Sequence, residues 1–181
     1  MTIGIDISQL AYPNTGVSNY LYNLVLKLLE IDKKNEYVLF FSSFRRNLKS
    51  QISNLKSANK NVKIRQFKIP LLLLDVIWNK LHIFPIEKFI GEVDIFITSD
   101  WTEPPARKAK KVTIIYDLIV YKHPEETDQK IVSVQKRKLS WVKKESNIVF
   151  CISESSKKDA LEILGIDESR IRVVYPGIST V

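Results

Sequence analysis

A short apolar run followed by a helical stretch, repeated from one end of the chain to the other, is the feature that constrains this sequence most. Residues 3–7 form a compact β-rich run, and the loop after it carries two breakers, Pro13 and Gly16. Residues 17–30 then place Val17, Tyr20, Leu21, Leu24, Val25, Leu28 and Leu29 on one helical stripe. Residues 37–41 are apolar without alternation, the mark of a strand covered on both faces. Residues 46–56 predict a polar helix, and residues 62–67 alternate cleanly, which suits a strand nearer an edge. An apolar helix is expected over residues 71–81, with a short one after Pro85. Residues 93–97 and 111–116 read as strands joined by a loop carrying Pro104 and Pro105. A long helix follows over residues 127–145, with Ile131, Val134, Leu139 and Val142 turned inward. Residues 147–152 make a strand, Ser153 opens a helix that closes at Gly165, and residues 172–175 make a last strand.

Strands alternating with helices of these lengths build right-handed βαβ units. The expected fold is therefore α/β: a Rossmann-like, open, mostly parallel sheet with helices on both faces. At 181 residues the chain fits one domain. In such sheets ligands bind beyond the carboxyl ends of the strands, where the strand order reverses. That rule directs attention to the loops after Ile7, Ile115 and Ile152.

Charge narrows the partners. The formal net charge is +8, and residues 43–68 hold eight lysines and arginines, Arg45 through Lys68, with no acid. Further basic clusters are Arg107-Lys108-Ala109-Lys110-Lys111 and Lys136-Arg137-Lys138. Such clusters either attract anions, whether phosphates, acidic lipid surfaces or nucleic acid, or form solvated faces. Nucleic acid is disfavoured, because no zinc-finger spacing, RNA-recognition signature or aromatic–basic interleaving accompanies the charge. The apolar window from Ile69 to Ile90 is interrupted by Pro70, Asp75, Lys80 and Pro85, so no membrane span is expected. The N-terminus lacks the signature of a secretory signal, and the one cysteine, Cys151, lies in an apolar run and reads as a buried thiol. A cytoplasmic location follows, with peripheral contact at the inner membrane face as a further expectation.

Three loops offer chemistry. Thr15-Gly16-Val17-Ser18-Asn19 enters a helix, where a glycine permits close approach and free amides favour a phosphate. It is neither a dinucleotide fingerprint nor a P-loop, since the spaced glycines and the Gly-Lys-Ser/Thr are missing, and Gly16 is equally compatible with a structural turn. Tyr116-Asp117 ends a strand and offers a phenol and a carboxylate at the rim, for a sugar hydroxyl or a developing positive charge. Asp117 is also a natural turn former. Ser153 is a natural N-cap, with Glu154 in the first turn. No Gly-x-Ser-x-Gly elbow surrounds these serines, and His82, His123 and Cys151 assemble no metal site.

Four segments in this order resemble a known family: Gly16-Val17-x-x-Tyr20-x-x-x-Leu24; Val112 to Leu118 with Pro124-Glu125; Ile152-Ser153-Glu154 to Asp159; and Leu164-Gly165-Ile166 through Arg170-Ile171 to Tyr175-Pro176-Gly177-Ile178. The chain is similar to the N-terminal half of the retaining glycosyltransferases of family 4, which have the GT-B fold. The resemblance implies two Rossmann-like domains facing one another across a cleft. Residues 1–175 would form the acceptor-side domain, residues 176–181 would begin the inter-domain linker, and a C-terminal domain absent from this chain would bind the nucleotide-sugar donor. Without that half the chain would be inactive. It implies substrate contacts at Thr15, Gly16, Val17 and Asn19, cleft-edge positions at Ser153 and Glu154, and Tyr116 and Asp117 near the transferred sugar. No cofactor and no metal would be needed. Family members commonly carry His-Asp at this strand end, and Tyr116 replaces that histidine here. The acceptor would be a glycan or a lipid-linked saccharide. The alternative is a non-catalytic α/β module that binds a phosphate ligand or a partner.

Overall fold

The structure, a computed structural model, describes residues 1–44, 46 and 48–177; Arg45 of the basic run and the linker positions from Ile178 lie outside the described residues. Seven strands form one sheet: β1 Thr2–Asp6, β2 Glu36–Ser42, β3 Val62–Phe67, β4 Ile95–Thr98, β5 Lys110–Ile115, β6 Ile148–Cys151 and β7 Ile171–Val173. Their order is β3-β2-β1-β4-β5-β6-β7, and every neighbouring pair is parallel. The expected open parallel α/β sheet is what the chain forms, with the alternating strand β3 at one edge.

Both faces of the sheet are covered. Tyr37, Leu39 and Phe41 of β2 point into a core with Leu21, Val25 and Leu29 of helix α1 (Gly16–Ile31) and Ile52 and Leu55 of α2 (Lys49–Ala58). Val38 and Phe40 point the other way, onto Leu74, Trp78, Ile90 and Phe96. Period-two geometry puts successive side chains on opposite faces, so a strand buried on both sides must be apolar throughout. Gly4 on β1 lies where the second layer packs closely: a Cβ there would sit 2.7 Å from Phe96 Cδ2 and 2.8 Å from Ile90 Cδ1.

The segment expected as one apolar helix over 71–81 divides instead. A single turn, α3 (Leu71–Leu74), runs into a π-helical stretch, Asp75–Lys80, whose face carries buried Asp75, Trp78 and Asn79. The wide turn accompanies polar pairing: Arg137 meets Asp75 at 2.6 Å, and Asn79 donates to Asp75 at 2.9 Å and to the Trp101 carbonyl at 2.9 Å. A short helix α4 (Glu87–Ile90) precedes β4, and α5 (Ile119–Lys122) follows β5.

Helix α6 (Gln129–Glu145) departs from the expected inner stripe in an instructive way. Val132, Lys138, Leu139 and Val142 are buried, while Ile131 is exposed. Helix α7 (Glu154–Glu162) is followed by Gly165 at φ +61°, the left-handed position that closes a helix. Cys151 is fully buried, and burial pushes its thiol up to about 11.

Two of the three basic clusters prove to be partly internal. Lys138 is buried, and Arg137 is spent on Asp75. Lys111 is buried between Glu103 at 2.9 Å and Glu145 at 2.8 Å. Sequence counts charges, but a lysine on an inward helix face or on a central strand must find a buried counter-ion. The acid-free stretch after β2 is different, for Arg46, Lys56, Lys60, Arg65 and Lys68 are exposed.

Candidate functional site

The strand order reverses between β1 and β4. The chain leaves β1 toward β2 on one side and β4 toward β5 on the other, so the loops beyond their tips part and leave a crevice. A cleft of about 330 Å³ occupies that position. Its floor is polar, with Asp6 at the end of β1, Ser8 and Gln9 after it, and Asp100 and Thr102 after β4, and its lip is formed by Phe44, Arg46 and Leu71. Asp100 and Trp101 also line a second cleft of about 230 Å³, which opens toward Val17, Tyr116, Asp117 and Gln135. The two hollows thus share one wall.

That wall is held from both sides. Gln9 Nε2 donates to Asp100 Oδ2 at 2.7 Å, and Gln135 Nε2 donates to Asp100 Oδ1 at 3.2 Å and to its carbonyl at 3.1 Å. Burial pushes the Asp100 carboxyl above the usual carboxylate range, and the charge of Asp117 adds to the effect, while Lys138 and Gln135 oppose it. The Asp6 carboxyl is likewise raised by burial, although Ser8 N donates to it at 2.8 Å.

A charged layer lies beneath the floor. Lys138 Nζ donates to the Ser99 carbonyl at 2.6 Å, and burial depresses its ammonium against the pull of Glu103, Asp100 and Asp6. Glu103 is fully buried and accepts from Thr98 Oγ1 at 2.6 Å, Thr113 Oγ1 at 3.1 Å and Lys111 Nζ at 2.9 Å. Side chains fixed in this way hold the loop after β4 rigidly at the rim, where a ligand-binding loop needs a stiff support.

The residues expected from sequence sit as follows. Val17 and Asp117 line the same cleft. Asp117 is exposed and accepts from Ile119 N at 3.1 Å, so one carboxylate oxygen shapes the turn. Tyr116 is buried and its hydroxyl bonds Ser99 Oγ at 2.9 Å; burial holds its phenol well above the ordinary value. Tyr20 meets the Tyr116 ring edge-on at 5.6 Å and donates to the Val174 carbonyl at 3.0 Å, tying α1 to the chain after β7.

Thr15 caps α1, accepting from Ser18 N at 3.2 Å, and Asn19 is exposed in the first turn. Gly16 has an ordinary helical backbone, and a Cβ built there would meet nothing within 4 Å. The fold itself does not require a glycine at this position. Ser153 and Ser156 form a reciprocal capping box, each side chain accepting from the other's backbone N–H at 3.1 Å. Glu154 is exposed and receives the Tyr175 hydroxyl at 3.4 Å.

Because all strands run parallel, Gly16, Asp117 and Ser153 share one rim of the sheet. Val17, the residue after Gly16, and Asp117 line the second cleft, which Gly16 itself does not. Ser153 belongs to the adjacent strand tip and does not line either hollow. Sequence reading passed over Asp100 and Trp101, treating the β4–β5 connection only as a Pro-Pro loop. The signal was present in Ser99-Asp100-Trp101-Thr102-Glu103, a dense polar and aromatic run beyond a strand tip. What was missing was the strand order that makes β4 the neighbour of β1.

Comparison with known proteins bears on this arrangement. No curated protein matches the chain. Among solved structures, a short-chain dehydrogenase from Oenococcus oeni PSU-1 is similar at 16% identity and a TM-score of 0.39, over 93% of this chain and 66% of that one. This chain therefore spans less than two thirds of the length of that structure. The family model described as Glycosyltransferase Family 4 matches residues 14–181, which takes in the helix start at Gly16, the second cleft and the tips of β4, β5 and β6, but not the β1 side of the first cleft. The chain belongs to glycosyltransferase family 4.

Proposed function

We propose that this chain is the acceptor-side half of a retaining glycosyltransferase that moves a sugar from a nucleotide-sugar donor to a glycan or lipid-linked acceptor. The observation that carries the reading is the pair of adjoining clefts at the strand-order reversal, sharing the Asp100–Trp101 wall, in a chain of this family. Carboxylates beside an indole suit a saccharide: the acids accept from hydroxyls and the ring packs on the sugar's C–H face. Asp117 stands across the second cleft from the start of α1, where a carboxylate can oppose charge that develops on the transferred sugar. Tyr116 acts by position, since its hydroxyl is already engaged by Ser99. In this reading the helix start at Thr15, Gly16, Val17 and Asn19 meets the donor, with the amides of Gly16 and Val17 toward its diphosphate, Ser153 and Glu154 edge the inter-domain cleft, and a second Rossmann-like domain holds the donor without a metal ion.

Gly16 supplies the test. Nothing in the fold contacts a methyl group added there, so Gly16→Ala is expected to leave thermal stability unchanged or slightly raised. In an enzyme completed by a donor-binding half, the same substitution should cut transfer at least tenfold and raise KM for the nucleotide sugar. Unchanged kinetics in Gly16→Ala would remove the donor from this loop. The anomeric proton coupling of the product reports retention, and an inverted product would overturn the retaining assignment.

A further inference from the structure

We propose that the lip of the β1–β4 cleft docks on an anionic lipid bilayer, which presents a lipid-borne acceptor to the cleft. The observation is a local mismatch between what the surface exposes and what a freely solvated surface needs. Helix α3 is a single turn of four leucines. Leu71 and Leu74, one turn apart, face inward: both line the cleft, and Leu74 is buried. Leu72 and Leu73 necessarily face the other way, at 75% and 48% exposure. Phe44, at the same lip, is 64% exposed. Three large apolar side chains around one cleft mouth mark an interaction surface, unlike scattered single ones.

Charge selects the occupant. From Ser43 to Leu74 the sequence contains no acid, and exposed Arg46 and Lys68 flank the leucines within the same segment. The cleft acids, Asp6 and Asp100, are drawn back and held by neighbours: Asp6 is buried and Asp100 is tied to Gln9 and Gln135. An apolar lip flanked by two cations, with its acids recessed, is complementary to acyl chains beneath anionic headgroups. No helix among the described residues is long and apolar enough to cross a membrane, so attachment here is to the surface. A sugar in the cleft would then have its lipid portion leaving over Leu71 toward the bilayer. That last step rests on the transferase reading, whereas the docking itself does not.

Co-sedimentation with vesicles tests the docking. The probes are vesicles of pure phosphatidylcholine and of seven parts phosphatidylcholine to three parts phosphatidylglycerol, at low and high salt. The chain should bind the anionic vesicles at least about tenfold more tightly than the neutral ones, and salt should weaken the binding. The double substitution Leu72→Asp, Leu73→Asp should cost about tenfold or more, and Lys68→Glu a smaller factor. Both leucines are exposed, so circular dichroism should show these variants folded. Lys136→Glu with Lys144→Glu, exposed residues on α6, should change little. Absence of binding to anionic vesicles overturns the proposal. So does binding that survives the leucine substitutions, or that falls equally with the α6 pair, since either result reduces it to undirected charge attraction. No sugar is present in this assay, so its failure leaves the transferase reading standing, and failure of the Gly16 test leaves the docking standing.

Discussion

Replacing Lys138 with methionine tests whether the charged layer under the site is an energetic support or a passenger. The ammonium donates to the Ser99 carbonyl at 2.6 Å and is a buried cation coupled to Asp6, Asp100 and Glu103. Methionine keeps most of the volume and removes the donor and the charge. An orphaned buried carbonyl costs about 1–3 kcal/mol, and stripping a counter-charge from buried acids about 3–5 kcal/mol in well-paired cases. Among the described residues Lys138 makes no direct ion pair, so a total of about 2–4 kcal/mol at pH 7 is expected from these terms. In urea, with a slope of about 2–3 kcal/mol per molar, the midpoint should fall by about 1–2 M. The pH dependence carries the sharper signature. Burial already raises Asp6 and Asp100 above their unfolded value of 3.8, and loss of the lysine raises them further. Between the unfolded and folded values the native chain holds more protons, so stability falls as pH rises through that window. The deficit of Lys138→Met relative to wild type should therefore be smaller at pH 5 than at pH 8. Equal deficits at the two pH values, or a deficit under about 0.5 kcal/mol, would refute the reasoning.

Other consequences can be checked separately. Gly4→Ala drives a methyl group into Phe96 and Ile90 and should cost about 1–3 kcal/mol in thermal or urea unfolding, in contrast to the silent Gly16→Ala. Tyr116→Phe removes the hydroxyl bonded to Ser99 and should cost about 0.5–1.5 kcal/mol with little change in the transfer reaction; a large loss of kcat would return a chemical role to the phenol. Cys151, buried and raised to about 11, should react with iodoacetamide at pH 8 far more slowly in the native chain than in urea, and faster as pH climbs toward that value. Rapid native labelling at pH 8 would contradict the packing of β6.

The repeating strand-and-helix pattern was sufficient to predict the fold class, the edge position of residues 62–67 and the buried state of Cys151. These depend on side-chain periodicity along a local segment, and local periodicity is written in the chain. Thr15 and Ser153 were legible as helix starts for the same reason: a cap needs only its own next three residues. The burial of Lys111 and Lys138 is not legible in their basic clusters because their partners, the carboxylates of Glu103 and Glu145 for one and the Ser99 carbonyl for the other, come from other elements.

What tertiary structure alone decided was which strand tips are neighbours. Sequence put Val17 and Asp117 beyond strands, but only the order β1-β4-β5 sets them in one hollow and makes Asp100 and Trp101 its shared wall. Turning two of the four leucines of residues 71–74, Leu72 and Leu73, outward was likewise a tertiary decision: a single turn can bury one side, and the sheet had room for Leu74. Hydrophobic pattern fixes which side of a segment seeks cover, whereas pairing between distant segments fixes what that cover is, and a site is made of the second kind of information.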